Sequence, residues 1–323
     1  MIKRLLTARE TILFAVLVAI FAFFAWRIDG FLDAYGLFER TRYWVVPGLL
    51  AVPMTFIIAT SGIDLSVGSV VALAGIVVGM LHVDAGWSPW LAACAGILVG
   101  LGAGAFNGGV SSYLNIPPLV VTLATMTLFR GLAMGLSQAK AFGGYPENFA
   151  WIAQGDAFTI HYGEDLSAGV PVALLFLLAV FALGHVLLRH AWPGRYTECI
   201  GENETAARFA AIEVQKLKCA LYTAAGLVAG IAACFNITLY DTAKADTGGE
   251  LALEAIACVV VGGTRISGGQ GSVLGTLLGL CIIGILRYGL ELYGLQSETV
   301  IIIVGVLLIV TAVFNEWLSR GQA

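Results

Sequence analysis

The feature that most limits this chain is a series of apolar runs, each long enough to cross a bilayer, joined by short polar turns. A spanning helix needs about 20 mostly apolar residues at about 1.5 Å rise each. Such runs fall at roughly 11–28, 43–60, 66–82, 89–107, 118–137, 169–188, 217–236, 270–287 and 298–315. Another, at 252–263, is too short to cross alone and reads as a broken or re-entrant helix. Non-helical pieces survive at membrane depth only when protein buries them or they line a wet cavity. The expected fold is all-α: one polytopic membrane domain over 1–323, with about ten transmembrane helices and short broken or re-entrant segments.

Charge content agrees. Only 12% of the 323 residues are charged, about half the share of a soluble domain, and mean hydropathy is +0.90. A formal net charge of −4 argues against a nucleic-acid partner, which needs a basic face. At the N-terminus Lys3, Arg4 and Arg9 precede an apolar run that ends in Trp26, Arg27 and Asp29 with no small-x-small cleavage site. That reads as a retained first span with an interface anchor.

Lysine and arginine orient the spans. With the N-terminus cytoplasmic, Arg189, Arg195, Arg208, Lys216, Lys218, Arg265 and Arg320 also fall inside, against Arg27, Arg40, Arg42, Lys140, Lys244 and Arg287 outside; Arg130 falls within a span. Both termini and the loop 189–216 come out cytoplasmic. The longest outside segment, about 138–168, is punctuated by Gly, Pro, Asn and Asp, and could receive an external protein.

Catalytic machinery is not legible. No phosphate-binding GxxxxGK[ST] occurs, and the glycine-rich GGTRISGGQGS at 262–272 has no lysine. The six cysteines form no CxxC, so neither a metal site nor a disulfide framework is expected. No cofactor is expected in this chain. Small residues abound instead: Gly96, Gly100, Gly104 and Gly108 repeat every fourth residue, as do Gly226/Gly230 and Gly275/Gly279. Such stripes let helix backbones approach closely.

Three polar blocks interrupt the apolar pattern. ATSGIDLSVGSVVAL at 59–73 carries Asp64 and Ser66, either as a turn that caps the next helix or as a re-entrant element at the transport path. TRISGGQGSVL at 264–274 aligns faintly with 61–71, as two related halves would. FNGGVSSYLNIPPLVVTLATMTLFRG at 106–131 offers Asn107, Asn115, Thr122 and Thr125, neutral groups that suit a polyol or sugar better than an ion. Asp64, Ser66, Asn107, Asn115, Thr122 and Thr125 are the candidates for the translocation path or gate.

The stretch GENETAARFAAI at 201–212 lies between two apolar runs. Asn203 suits an N-cap, Glu204 favours a helix start, and Glu204 and Arg208 pair at i, i+4. A helix this short needs a docking partner. The expectation is an alanine face seated in a partner's groove, with charges at the rim.

With SGIDLSVGSVVALAG, FNGGVSSYLNIPPLVVTLATMTLFRGLA, PGRYTECIGENETAARFAAI and AIACVVVGGTRISGGQGSVLGTLLG, the chain resembles the inner-membrane permease subunits of bacterial ABC importers of the ribose type, a group that also serves xylose, galactose, rhamnose and autoinducer-2. Thr60-Ser61, where glycine is common, and Glu202 depart from the pattern. The resemblance implies a non-catalytic subunit of an ATP-driven transporter. It makes 201–212 a cytoplasmic coupling helix, with Gly201, Glu202, Asn203, Glu204, Ala206, Ala207 and Arg208 as its coupling residues. It implies an ABC ATPase that binds ATP and Mg, a second permease chain, a substrate-binding protein and the lipid of the inner membrane. The alternatives are a branched-chain amino acid or nucleoside permease of the same class, or an ion-coupled carrier using Asp64, Glu254 and Glu291.

Overall fold

A computed structural model describes residues 8–161, 167–296, 298–306 and 309. The described residues are mostly helical: α1 (Ala8–Arg27), α2 (Ala34–Ala59), α3 (Val67–Gly79, extended by a wider π turn, Met80–Asp84), α4 (Pro89–Tyr113) and α5 (Pro118–Ser137) come first. Next stand β1 (Phe142–Gly143), α6 (Glu147–Gln154), β2 (Asp156–His161) and β3 (Ser167–Pro171). Then follow α7 (Val172–Arg189), α8 (Trp192–Glu202), α9 (Glu204–Phe209), α10 (Val214–Tyr240), β4 (Thr242–Ala243), α11 (Leu251–Val261) and α12 (Val273–Leu292). Eight helices among the described residues are long and apolar enough to cross a membrane, and α11 is the short apolar helix expected at 252–263. The last expected span, 298–315, is helical over 298–306, and most of the rest lies outside the described residues.

Local chemistry sets the helix starts. Asp33, Ser88 and Ser272 accept hydrogen bonds from the backbone N–H three residues on, at 2.9, 3.3 and 3.0 Å, which satisfies donors that a first turn leaves open. Pro89 and Pro118 occupy first helical positions, where no N–H is needed.

Burial ranks the spans. In α2, 89% of the apolar window is buried, against 11% in α1 and 28% in each of α5 and α7. The bundle is therefore built around α2, which packs against α7, α10, α11 and α12. Its Thr55 Oγ meets Thr276 Oγ of α12 at 2.9 Å, and each lies within reach of the carbonyl four residues back, so one hydroxyl donates to the other, which donates to its own carbonyl, and no polar group is stranded. The glycine stripe of α4 faces α10: a Cβ on Gly100 would meet Gly230 backbone at 2.9 Å, and one on Gly104 would meet the Gly226 backbone at 2.8 Å. That contact holds the two backbones close through small residues.

The bundle has two unlike ends. At one, β1 pairs with β4 and β2 with β3, and α6 packs on α10 and α7. Arg42 of α2 fastens this cap: its guanidinium donates to Ala153 O at 2.8 Å and pairs with Asp156 at 2.7 Å. The expected outer segment thus carries a helix and a hairpin, while 162–166 lies outside the described residues. At the other end stand α8 and α9.

Candidate functional site

Between α7 and α10 the chain leaves the bundle and builds two short helices. Asn203, extended at φ −159° and ψ 100°, ends α8 and caps α9, its side-chain oxygen accepting from Ala206 N–H at 2.9 Å. Glu204 receives Arg208 at 2.8 Å across one turn and Lys218 of α10 at 2.5 Å. Burial would raise the Glu204 carboxyl, but the bonds from Lys218 and Arg208 outweigh it and hold it below the usual carboxylate range. The N-cap and the i, i+4 pair stand where the sequence puts them, and Lys218 adds a tie from α9 to α10.

One residue of the alanine face is corrected: Ala206, Ala210 and Ala211 are exposed, but Ala207 is not. Ala207 is only 4% exposed and packs inward with Ile200, Val214 and Leu217, forming a small core of this chain's own. Amphipathicity decides this: Ile200, Val214 and Leu217 need cover, and Ala207 is the residue of α9 that points at them. The outward face carries Glu202, Asn203, Thr205, Ala206, Arg208 and Phe209. Phe209, missed in the sequence reading, is 88% exposed. A single phenylalanine in a charged, alanine-rich helix was the signal that could have found it.

The end of α8 is seated on the bundle by backbone. A Cβ on Gly201 would fall on the carbonyl oxygen of Ala59, the last residue of α2, and on the amide nitrogen of Gly269. Gly269 N–H donates to that same Ala59 oxygen at 3.0 Å. Ser61 Oγ donates to Ser267 O at 2.7 Å. Three segments thus meet at one point: the end of α8, the turn 59–61 after α2, and the glycine-rich turn 262–272 before α12. The two blocks that align faintly in sequence are neighbours here, although α3 begins within one and α12 only at the close of the other.

The turn 60–66 leads into a buried polar cluster. Asp64 Oδ1 accepts from Ser66 N–H at 2.9 Å and Ser66 Oγ at 2.7 Å, and Asn107 Nδ2 of α4 donates to Ser66 Oγ at 2.7 Å. Asp64, Ser66 and Asn107 are all at most 2% exposed. Thr122 Oγ of α5 lies 3.3 Å, and Tyr222 OH of α10 3.4 Å, from Ile63 O. Thr125 bonds back to its own helix, at Val121 O. Asn115 does not join the group; it is an exposed turn residue between α4 and α5 with φ +53°. Asp64, Ser66 and Asn107 therefore brace the start of α3 rather than line an open channel in this chain.

The family described as "Branched-chain amino acid transport system / permease component" matches residues 37–312. The chain belongs to that family. Among curated proteins, this permease is 33% identical over 308 residues to the Autoinducer 2 import system permease protein LsrD of Klebsiella pneumoniae, covering 93% of this chain and 89% of that one. It is 34% identical to the Ribose import permease protein RbsC of Bacillus subtilis, covering 88% and 86% of the two chains. No solved structure matches the permease.

Nearer the capped end, the permease has a cavity of about 110 Å³ between α2, α11 and α12. Its charges are matched: Arg40 pairs with Glu291 at 2.6 Å and Arg287 with Glu254 at 2.8 Å. Glu254 and Glu291, two of the three carboxylates an ion-coupled carrier would use, are thus neutralised within the permease.

Proposed function

We propose that this permease is the membrane-spanning subunit of an ATP-driven importer that carries a sugar or sugar-like small molecule across the inner membrane, with both termini cytoplasmic. The family match and the autoinducer-2 and ribose names of its relatives support the substrate class. The arginine-paired Glu254 and Glu291 speak against ion coupling. An ABC ATPase, which holds the ATP and Mg, docks on α8–α9. A second permease chain completes the pathway, and a substrate-binding protein delivers cargo to the end capped by α6 and the hairpin.

The observation that carries the reading is the backbone seating of Gly201 on Ala59 and Gly269. A rigid-body push on α8–α9 has no side chain to absorb it there. It reaches the C-terminus of α2 and the turn before α12 directly, and through the turn 60–66 it reaches the start of α3. Phe209 is the anchor on the ATPase side. Aromatic anchors that fill a pocket contribute about 2 kcal/mol or more to an interface, and about 1.4 kcal/mol is tenfold in affinity. Phe209→Ala should therefore leave the permease in the membrane at normal level and reduce co-purifying ATPase at least about tenfold. An unchanged yield of bound ATPase, with uptake intact, would remove α9 as the docking element. ATP hydrolysis by the permease free of other subunits would sink the division of labour.

A further inference from the structure

The segment after α10 does not stay at the end of the bundle. Thr242 pairs with Gly143, whose neighbour Phe142 packs on Gly79 near the far end of α3. By Gly248 the chain has reached Gly68, the second residue of α3, where the two backbones touch. Gly79 and Gly68 are eleven residues apart, so the chain descends about 16 Å alongside α3 at 1.5 Å per residue.

The start of α3 is itself inside the span. Ser66 is bonded to Asn107, six residues, or about 9 Å, before the end of α4 at the α8–α9 side. Arg130, twelve residues or about 18 Å into α5, donates to Asp246 O at 3.2 Å. Both measures put 244–250 well within the thickness that the flanking helices cross.

This segment is irregular, and its sides differ. Ala243 and Ala245 are buried against the bundle, while Lys244, Asp246, Gly249 and Glu250 are exposed on the surface of the chain. Hydrocarbon cannot solvate an open, non-helical backbone carrying charged side chains. A path for water and a polar solute can.

We infer that the strip Lys244–Glu250, with Arg130 of α5, is one wall of the aqueous translocation path. This rests on the transport reading above and relocates the path from the buried Asp64, Asn107 and Thr125 to an exposed face of the chain. The strip's charges have both signs, and Arg130 is held by a backbone carbonyl. Such a wall offers donors and acceptors to a neutral hydroxylated solute without a fixed net charge to trap it. The polar backbone of Asp246–Gly249 would stand in for the solute's lost water.

The test is thiol accessibility in the assembled transporter in membranes. Asp246→Cys, Lys244→Cys and Leu183→Cys are made separately in a chain whose six cysteines are replaced. Leu183 lies eleven residues into α7 and is 59% exposed on a helix with an apolar outer face. The probe is a charged, membrane-impermeant methanethiosulfonate. Because the thiolate is the reacting form and a low-dielectric surround suppresses it, the two strip positions should react at least about tenfold faster than Leu183→Cys. Modification there should block uptake. Equal, slow reaction at all three positions would overturn the inference, meaning that the strip is covered by dry protein or lipid. Fast reaction in an assembled transporter that imports nothing before labelling would sink the importer reading and leave the aqueous strip standing.

Discussion

Two regions interrupt the helical pattern, and they do so differently. Where Ala59, Gly201 and Gly269 meet, the ends of α2 and α8 are packed against the glycine-rich turn, and Gly269 N–H closes onto Ala59 O. Along 242–250 only one side is covered, and the charged side is open. Non-helical backbone in a membrane protein is tolerated for two distinct reasons, burial in protein or contact with water; the junction fits the first and the exposed strip the second. The packed junction suits the passage of force. The open strip suits the passage of a solute.

Substitutions sharpen this contrast, and the largest effects belong to the packed junction. Ala207→Glu puts a carboxylate into the core formed with Ile200, Val214 and Leu217, whose apolar side chains offer it no partner. A buried unpaired charge costs about 3 kcal/mol or more. The variant should lose membrane level and protease resistance around α8–α10, read by limited proteolysis. A normally folded Ala207→Glu would mean that the inward face is not packed.

Gly201→Ala comes next. Its methyl group meets only backbone, which cannot rotate away, and overpacking costs about 1–3 kcal/mol. The complex should still assemble, while uptake falls and ATP hydrolysis no longer responds to substrate. Coupled transport at the wild-type rate would break the proposed link from α8 to α2.

Glu204→Gln should cost about 0.2–1 kcal/mol, because the pairs with Arg208 and Lys218 are partly exposed and screened. The sign with pH follows from the depressed folded pKa. Its contribution is present above the ordinary carboxylate range and lost as pH falls through the lower folded value. Thermal unfolding of the wild type should therefore lose a small increment on acidification that Glu204→Gln lacks. Parallel pH profiles would show that the pair is idle.

The smallest effect is expected in the open strip. Asp246→Asn keeps the backbone carbonyl that Arg130 uses, so its melting temperature should match the wild type, within the ±0.5 kcal/mol usual for exposed sites. A large loss would show that the strip is packed after all and erase the contrast.

The apolar runs, the cap at Asn203 and the Glu204–Arg208 pair were legible in the sequence. Each depends on residues a few positions apart, and local chemistry decides them. The glycine stripe of α4 announced close packing but not its partner. Family resemblance, carried by four blocks of residues, pointed to the permease class before any contact was known.

Which face of a helix meets what could not be read locally. Ala206 and Ala207 are the same residue type one step apart, yet one is exposed and the other buried, because Ile200, Val214 and Leu217 lie on one side only. Asn107 and Asn115 are both polar residues near a helix end, yet only Asn107 reaches Ser66. Gly201 carries no chemical signal of its own; its role exists only because residues 59 and 269 come to the same point. Sequence determined that the chain is built of membrane-spanning helices and roughly where the apolar runs lie, since hydrophobic transfer acts over one span; the helix ends shift by up to nine residues, as at Ala34 of α2. Tertiary structure alone decided which interruptions are sealed and which stay open, because that depends on how segments distant in sequence share volume and hydrogen-bonding partners.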